Sequence, residues 1–366
     1  MTISRRNLLA GCAAGGAMAT LLTRNVLAQA PLQVPVVDSL TVRVITDSSY
    51  DTPRAGIHPL VKVQRFPLSS PNDFRKTLHN QWGLSLALES RIGTDLRRMM
   101  LDFGYTPAAL LNNMELVGVK AEDQAALIVS HGHFDHYGGL IGMLQKHRAQ
   151  MRGDLTLYAG GEENFCIRKS VTASPGHFSD FGHLDRRELE ALRVKVVMCE
   201  QPRVIEGHAF STGALPRRSF ERVLPNTLVE YGIKDGAGCN MPEEAAAAGG
   251  KPVPDLHKHE HGTAFHVKDR GLVVITSCGH AGVVNTARRA MEVSGVNKLH
   301  AVIGGIHLFP APDDYLLKTI EELKAMQPDV VVPLHCSGPG FVNAMRNLFQ
   351  DRLLTSTTGT SLTFGT

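Results

Sequence analysis

The sequence predicts a mixed α/β protein in which strands and helices alternate along most of the chain. Short apolar runs at 125–130, 271–278 and 329–336 are typical of buried strands. Histidines stand at the end of several of these runs or just beyond them. Side chains at strand ends meet at one edge of a sheet, and α/β folds build ligand sites there. The same pattern therefore predicts the fold class and the position of a site.

The expected strands share an apolar or alternating pattern bounded by polar or glycine residues. In chain order they are 40–49, 83–90, 97–104, 125–130, 155–160, 192–198, 263–268, 271–278, 300–305 and 329–336. A helix is expected around 107–118. Segment 235–262 is rich in Gly, Ala, Pro and His and departs from this rhythm, so we expect a long surface loop that could cover the site.

Residues 1–30 have the features of an export signal. A pair of arginines, Arg5–Arg6, precedes a weakly apolar centre rich in small residues, and small residues recur near the end. The arginine pair is typical of the twin-arginine route. A membrane anchor is the alternative, but 8–22 is short and rich in Gly and Ala. We therefore expect a periplasmic or secreted protein with a single domain at 31–366.

Two cleavage points compete at the end of this segment, after Ala28 or after Ala30, and the second would leave Pro31 first. Lipid attachment at Cys12 is a further reading, less favoured because that cysteine lies close to the arginines. No stable membrane anchor is expected once the signal is removed.

Composition excludes several classes of protein. The 366 residues are 43% hydrophobic and 20% charged, which is typical of a globular chain and too apolar for a disordered one. Without residues 1–30 the chain has 35 basic and 35 acidic residues, so no nucleic-acid partner is expected. Five cysteines remain without short paired spacing, so a disulfide framework is not expected.

The stretch IVSHGHFDHYGGL, 128–140, carries the clearest chemical signal. His131 and His133 are one residue apart, so both imidazoles can reach one cation from a tight turn. Asp135 and His136 open the next helix and can reach a neighbouring position. Imidazole and carboxylate ligands favour Zn, Mn or Fe over Ca or Mg. The alternative is a solvated histidine-rich loop, but such a loop would seldom follow a buried strand. We therefore expect two divalent metal ions, most simply Zn.

The HGHFDH run resembles the H-x-H-x-D-H signature of the metallo-β-lactamase superfamily. Further stretches, STGALPR, GLVVITSCGHAGVVNT, VIGGIHLFPA and VVPLHCSG, are similar to the branch named for 7,8-dihydropterin-6-methyl-4-(β-D-ribofuranosyl)aminobenzene-5′-phosphate synthase. The resemblance covers about 40–366. It implies a four-layer αββα sandwich with the metals at one edge of the paired sheets. The ligands that it implies are His131, His133 and His280 for the first metal and Asp135, His136 and His335 for the second.

The resemblance also leaves alternatives around these ligands. His208 competes with His280 for the first metal. Superfamily members often have a bridging aspartate where this chain has Cys278. The thiol of Cys278 could bind a metal, but a small buried residue that packs under the site is the simpler interpretation. Cys336 has the same two interpretations. Asp102 is expected to orient an imidazole by accepting its other N–H.

Residues on the substrate side are less firmly assigned. His307 is expected near the substrate as a proton donor or an anion contact, with a structural histidine as the alternative. Arg217 and Arg218 could bind an anionic substrate, or could be a surface pair. The histidines of the 235–262 region suggest a mobile lid more than an accessory metal site; they are His257, His259, His261 and His266. The branch usually has an acidic–glutamine–alanine run where this chain has EHGTA.

These features predict an exported binuclear hydrolase that uses a metal-activated hydroxide, with Asp135 and His307 as catalytic residues. Its partner would be a small-molecule ester, amide or phosphoester. One alternative is a transferase like the branch's namesake synthase, although its diphosphate-activated pterin substrates are cytoplasmic. The other alternative is a non-catalytic protein that binds a metal or ligand.

Overall fold

Two β-sheets packed face to face form the centre of the molecule, and helices cover their outer faces. The computed structural model describes residues 31–51, 58–171, 177–224 and 227–365, and residues from Pro31 onward form one compact unit. The export signal predicted at 1–30 lies outside the described residues. The four-layer αββα prediction is confirmed.

The described strands are short and the helices follow them at the outer layers. In chain order the strands are β1 (Val36–Val37), β2 (Ser39–Thr46), β3 (Lys62–Gln64), β4 (Ser85–Ile92), β5 (Asp95–Leu101), β6 (Ala126–Val129), β7 (Thr156–Ala159), β8 (Ile167–Val171), β9 (Phe178–Asp180), β10 (Lys195–Met198), β11 (Arg203–Ile205), β12 (Ala209–Ala214), β13 (Thr227–Glu230), β14 (Gly232–Lys234), β15 (Ala237–Cys239), β16 (Val253–Pro254), β17 (His261–Val267), β18 (Gly271–Ser277), β19 (Leu299–Gly304), β20 (Val330–Pro333) and β21 (Ser361–Gly365). The helices are α1 (Pro107–Val117), α2 (Phe134–Tyr137), α3 (Leu140–His147), α4 (Arg186–Ala191), α5 (Pro242–Ala248), α6 (Val283–Ser294), α7 (Asp313–Met326) and α8 (Gly338–Leu348). Among the described residues, no helix is both long enough and apolar enough to cross a membrane.

Each large sheet contains a block of parallel strands. The first sheet has the order β10-β7-β6-β5-β4-β2-β21-β3, and the second has the order β11-β12-β17-β18-β19-β20 with β1 beside β17. Strands β5, β6, β7 and β10 are parallel in the first sheet, as are β18, β19 and β20 in the second. Parallel neighbours send their carboxyl ends to the same edge, so the loops after β6 and after β18 to β20 can carry a shared site.

Apolar side chains fill three layers. The layer between the sheets includes Leu86, Ile128 and Phe265, each fully buried. A second layer lies under α1 and α3, and a third lies under α6, α7 and α8. Strand β6 is buried along its whole length because it faces apolar layers on both sides. This rigid strand ends where the histidine turn begins.

The ten strands expected from the sequence are all present, with boundaries shifted by up to three residues, and the helix expected around 107–118 is α1. Helix α1 begins at Pro107 after Thr106, whose side chain accepts from the Ala109 N–H, and ends at Gly118 with φ 73°. Several further strands were not expected. Most of them, such as β8, β9 and β14, are short and polar, so they lack the pattern that predicts a strand.

The expectation of a long surface loop at 235–262 was wrong for much of that segment. It contains β15, α5 and β16, and β16 belongs to a four-stranded sheet with the order β16-β13-β8-β9. Its last part is buried at Asp255, His257 and Glu260. Polar residues can be buried there because they have charged or hydrogen-bonding partners, which a composition pattern does not reveal.

A disulfide joins Cys166 to Cys239, contrary to the expectation from cysteine spacing. The two residues are 73 positions apart in the sequence, so no short spacing announces the pair. The bond attaches the end of β15 to the residue that precedes β8. The other described cysteines are free and buried; they are Cys199, Cys278 and Cys336.

Candidate metal centre

The histidine turn is the first of the loops that build the centre. It leaves β6 after Val129 and runs into α2, with His133 at the N-cap position. His131, His133, Asp135 and His136 are all buried. The residue between the two histidines must be small, because a Cβ on Gly132 would lie 2.5 Å from the Asn164 carbonyl oxygen. The H-G-H spacing therefore reflects close packing as well as ligand geometry.

The second sheet supplies the remaining side chains from three parallel strands. Strand β18 leads to Cys278 and His280, β19 leads to His307, and β20 leads to His335 and Cys336. All five residues are buried. Because β18, β19 and β20 are adjacent and parallel, their loops emerge side by side opposite the histidine turn.

Five overlapping groups of three candidate ligands occur among the described residues, and two of these groups contain neither a cysteine nor Asp255. In each group the potential ligand atoms lie within 4.8 Å of one another. The memberships of these two groups coincide with the two ligand sets that the sequence resemblance implied, and metal occupancy stays a prediction. The first group is His131, His133 and His280, and the second is Asp135, His136 and His335.

Two buried polar atoms in these groups support a cation as the missing partner. Within the part of the chain that the structure describes, His131 Nε2 and Asp135 Oδ1 have no hydrogen-bond partner. A buried acceptor without a partner costs free energy, and such atoms are rare in native proteins. A divalent cation in each group would provide the missing partner. Imidazole nitrogens together with a carboxylate are ligands that suit Zn, Mn or Fe.

Asp102 stabilises the histidine turn through hydrogen bonds to Ser130 and His136. Its carboxylate accepts hydrogen bonds from Ser130 N at 2.8 Å and Ser130 Oγ at 2.7 Å, and lies 2.7 Å from His136 Nδ1. Its backbone has φ 58°, a conformation that Asp and Asn tolerate. With Nδ1 held by the carboxylate, Nε2 of His136 is directed to the second group. This geometry agrees with the expected role of Asp102 as a residue that orients an imidazole.

We expect Asp102→Asn to weaken metal binding by about 10-fold to 100-fold, the usual effect of losing a partner behind a metal ligand. An amide cannot accept from both Ser130 and His136 as the carboxylate does. Competition with a chromophoric chelator would measure the affinity. Asp329→Asn is the matched control, because Asp329 accepts from His300 at 2.8 Å away from the candidate ligands. Equal affinity in the wild type and Asp102→Asn would contradict the role.

The charges of the centre favour metal ligation. Burial, together with His136 and His133 nearby, lowers the pKa of His131 well below its usual value, so this imidazole is neutral. Burial would raise the pKa of Asp135, but His136 and His335 outweigh it and hold that pKa below its usual range. Burial would lower the pKa of His335, but Cys336 and Asp135 hold it well above the usual value. A cation that binds His335 must therefore displace a proton.

Two buried thiols lie among the candidate ligands. Cys278 Sγ and Cys336 Sγ are 3.1 Å apart, and the backbone N–H of His307 donates to Cys336 Sγ at 3.2 Å. Burial would raise the pKa of Cys336, but the Cys278 hydrogen bond and His335 hold it well below the usual value. The pKa of Cys278 is raised by burial and by Cys336. Cys278 forms a candidate ligand group with His131 and His136, and both thiols form another with His307, so ligation by either thiol stays an open alternative.

The structure brings to the candidate metal centre residues that the sequence analysis predicted to lie in a mobile lid. Asp255 accepts from Arg168 Nε at 2.6 Å, and its Oδ2 lies 3.8 Å from His133 Nε2. The His257 ring stacks on the His280 ring with centroids 3.8 Å apart. The lid interpretation was therefore wrong for His257, which is buried against the first ligand group. The sequence contained a weak indication of such a role, since three histidines and two acidic residues lie close together in PDLHKHEHG.

Glu260 holds the loop that carries His280. Its carboxylate accepts the backbone N–H groups of His280 at 3.0 Å and Ala281 at 2.5 Å. Burial raises the pKa of Glu260 to about 7, although these hydrogen bonds oppose the shift. Glu260 is the acidic residue of the EHGTA run, and it holds the backbone of the loop that carries His280.

The neighbouring histidines have structural partners. His261 is buried, with Nδ1 2.7 Å from Ser211 Oγ and Nε2 3.0 Å from the Val129 carbonyl oxygen. His259 Nδ1 accepts from the backbone N–H of Glu163 at 2.9 Å, and His266 is half-buried on β17. These contacts fix the segment after Asp255 against the first sheet, so the lid interpretation was wrong for His259 and His261 as well.

His208 is not brought to the site. Its ring lies 2.9 Å from Ser90 Oγ and 3.3 Å from Asp95 Oδ2, beside the β4–β5 hairpin. Strand β5 runs from Asp95 to Leu101, and Asp102 at the site follows its far end. The alternative of His208 as a ligand of the first metal therefore has no support from the geometry.

The residues expected on the substrate side have different surroundings. The His307 ring lies 4.1 Å from the His280 ring, and its Nδ1 lies 3.6 Å from Cys278 Sγ. Arg217 is exposed and donates to the Leu256 carbonyl oxygen. Arg218 pairs with Glu292 at 3.4 Å on the surface. Contact of His307 or Arg217 with substrate stays a prediction.

Comparisons with known proteins agree with this geometry. Residues 91–152 match the family model described as the metallo-beta-lactamase superfamily, a range that includes the histidine turn. A Methanocaldococcus jannaschii protein named 7,8-dihydropterin-6-methyl-4-(beta-D-ribofuranosyl)-aminobenzene-5'-phosphate synthase is 27% identical over 74% of this chain and 86% of its own. An uncharacterized protein of the same organism, MJ0448, is 26% identical over 73% of this chain and 88% of its own.

A solved structure shows the same fold. The crystal structure of Tm1679, described as a metal-dependent hydrolase of the beta-lactamase superfamily, superimposes with a TM-score of 0.61 at 20% identity. The match covers 88% of this chain and 98% of that one. The fold, the family match around the histidine turn and the similarity to the synthase agree with one another. On these grounds the chain has a metallo-β-lactamase fold, and its sequence around the histidine turn matches the metallo-β-lactamase superfamily model.

Proposed function

We propose that this chain is an exported hydrolase that uses two divalent metal ions on an ester, amide or phosphoester. The observation that carries the proposal is the pair of adjacent candidate ligand groups at the sheet edge, each with a buried polar atom that has no hydrogen-bond partner in the described part of the chain. When bound, two such cations lower the pKa of a water molecule and polarise the electrophile's oxygen. Hydrolysis is the chemistry that this combination serves most directly.

The protein's own residues would complete the site. Asp135 has Oδ2 3.3 Å from His335 Nε2, while Oδ1 is buried and has no hydrogen-bond partner among the described residues. This arrangement suits a carboxylate that helps to hold the second cation and accepts a proton from the attacking water. His307 is buried beside His280, and its Nε2 also has no partner in the described part of the chain. We assign to His307 the transfer of a proton to the leaving group.

Export is part of the proposal and has one structural support. Disulfides persist in secreted and periplasmic proteins and are rare in the cytosol. The Cys166–Cys239 bond is therefore consistent with the twin-arginine signal expected at 1–30. Zn is the metal that we propose first, with Mn or Fe as alternatives.

The similarity to the synthase favours a second candidate, a transferase that displaces diphosphate from a pterin-like substrate. In that reaction the cations would stabilise the diphosphate leaving group. A cytoplasmic substrate of this kind conflicts with export, which is why we place hydrolysis first. A protein that binds metal without turnover is the third candidate.

The test is a hydrolysis assay on the mature protein with Zn or Mn, using 4-nitrophenyl acetate and bis(4-nitrophenyl) phosphate. We expect turnover of at least one substrate, loss on chelation, and loss in His133→Ala. His266→Gln is the control, because His266 belongs to neither ligand group. A protein that holds two metals and hydrolyses neither substrate would overturn the proposal, as would activity that persists in His133→Ala.

A further inference from the structure

A cavity of about 520 Å³ opens beside the second ligand group, with His335 in its wall. Its described lining combines two exposed aromatic rings, Trp82 and Phe309, with two arginines, Arg65 and Arg346. Pockets for small molecules characteristically combine apolar walls with a few convergent polar groups. The cavity is large enough for a small ligand and is adjacent to the residues of the metal centre.

The aromatic part of the lining is continuous with the site. The Trp82 ring lies 4.9 Å from the His335 ring and meets Phe309 edge to face at 5.6 Å. The Phe309 ring also lies 5.6 Å from the His307 ring. Trp82 is 48% exposed and Phe309 is 55% exposed, which is unfavourable for two large rings in contact. A flat apolar group placed against them would remove this surface from water and lie next to His307 and His335.

The arginines supply positive charge to the same cavity. Arg65 is half-buried and donates to Thr357 Oγ1 at 3.3 Å and to the Thr355 carbonyl oxygen at 3.0 Å. Its Nε is buried and has no acceptor among the described residues. Arg346 is exposed and donates to Asn343 Oδ1 at 3.0 Å. Among the described residues, neither arginine forms an ion pair with a carboxylate. Guanidinium groups with free donors bind carboxylate or phosphate well.

The acidic residues of the lining do not neutralise the arginines directly. Asp47 Oδ1 accepts the backbone N–H of His335 at 2.6 Å. Asp51 is exposed and contacts Arg65 through its carbonyl oxygen at 3.4 Å. Among the described residues neither Asp47 nor Asp51 forms an ion pair with these arginines. The exposed Arg346 can therefore donate to a ligand, while Arg65, which already donates to Asp51, Thr355 and Thr357, adds positive charge beside it.

We propose that this cavity binds the substrate and that the substrate carries a flat aromatic ring and one anionic group, a carboxylate or a phosphate. This inference rests on the proposed hydrolase function and adds its substrate class. The ring would pack against Trp82 and Phe309, and the anion would bind Arg65 and Arg346. The bond to be cleaved would then lie towards His335 and His307.

The chain offers a direct probe, because Trp82 is its one tryptophan. Tryptophan fluorescence of the metal-loaded mature protein would be titrated with phenylacetate, phenyl phosphate, benzyl alcohol and acetate. We expect quenching by the two aromatic anions with a Kd at least about tenfold lower than for benzyl alcohol, since a charge-assisted hydrogen bond contributes that much. Acetate should bind more weakly than phenylacetate. A preference between phenylacetate and phenyl phosphate would identify the anion, and either preference supports the proposal.

Two variants test the two halves of the pocket. Arg346→Gln should raise the Kd for the aromatic anions about tenfold and leave benzyl alcohol unchanged, and Phe309→Leu should weaken all three aromatic probes. Both residues are exposed, so folding is not at risk, and Arg218→Gln is the control on an unrelated surface arginine. Equal Kd values for neutral and anionic probes, or no effect of Arg346→Gln, would overturn the inference. Binding is measured without turnover, so a failed hydrolysis assay alongside retained binding would reject the hydrolase proposal alone.

Discussion

Asp135→Ala is expected to lower the metal content from about two ions per chain to one and to reduce hydrolysis by about 10²-fold to 10³-fold. Losses of this size follow when one electrostatic contributor to a transition state is removed. His335→Ala should have the same effect, because Asp135 Oδ2 lies 3.3 Å from His335 Nε2 in the same ligand group. The first ion should remain in both variants, since its ligands are on other residues.

Elemental analysis of the purified variants would measure the metal content, and the nitrophenyl substrates would measure the rate. Asp123→Ala is the control, since Asp123 is an exposed carboxylate that pairs with Arg98 at 3.8 Å. Circular dichroism would verify that each variant is folded. Unchanged metal content in both Asp135→Ala and His335→Ala would show that the second site is not built from these residues, and the transferase or binding alternatives would then be preferred.

Arg168→Met is expected to lower the free energy of unfolding by about 3–5 kcal/mol, the usual cost of removing one partner of a buried ion pair. Arg168 is 1% exposed and Asp255 is 2% exposed. Arg168 Nε donates to Asp255 Oδ2 at 2.6 Å, and the guanidinium also donates to the carbonyl oxygens of Glu163 and Cys166. Methionine would leave the Asp255 carboxylate buried without a cation, next to His133.

The effect should depend on pH. Burial would raise the pKa of Asp255, but Arg168 outweighs it and holds that pKa well below the usual range. A lowered pKa in the folded state gives stability that is present above the unfolded pKa, about 3.9, and is lost as the pH falls through the folded value. In Arg168→Met this contribution disappears. The difference between wild type and variant should therefore be largest at neutral pH and shrink below about pH 4.

Urea denaturation at neutral and acidic pH would measure these differences. Arg152→Met is the matched control, because Arg152 pairs with Asp154 at 2.6 Å near the surface, where a pair contributes about 1 kcal/mol or less. A loss in Arg168→Met no larger than in the control, or one that is constant with pH, would contradict the prediction. Metal binding should also weaken in the variant, since Asp255 lies beside His133.

The sequence was most informative where local pattern and chemistry coincide. The apolar run before Ser130 predicted β6, and the spacing of His131, His133, Asp135 and His136 predicted ligands on the turn that follows. His280 and His335 follow apolar strands of the second sheet, and the family resemblance assigned them to the same site. Strand ends at one edge of parallel sheets converge, so residues far apart in the chain could be predicted to lie together, and the structure brings their side chains close.

Interactions between distant segments could not be predicted in this way. Cys166 and Cys239 are 73 residues apart, and spacing alone gave no reason to pair them. Asp255 can be buried because Arg168, from a distant part of the chain, neutralises its charge, and Thr227 and the His257 backbone N–H also donate to it. The segment with Asp255, His257 and Glu260 was consequently predicted to be a surface loop, although it packs against the first ligand group.

The sequence by itself determined the order of the long strands, the four candidate ligands of the histidine turn and the resemblance to the metallo-β-lactamase superfamily. Each of these depends on residues close in the chain, whose periodicity and spacing are visible without coordinates. Only the tertiary structure decided between His208 and His280, placed Asp102 and Glu260 behind their ligands, and brought Trp82, Phe309 and Arg346 together around one cavity. The physical reason is that burial and partner choice are properties of the packed sheets, where contacts join residues that no local pattern relates.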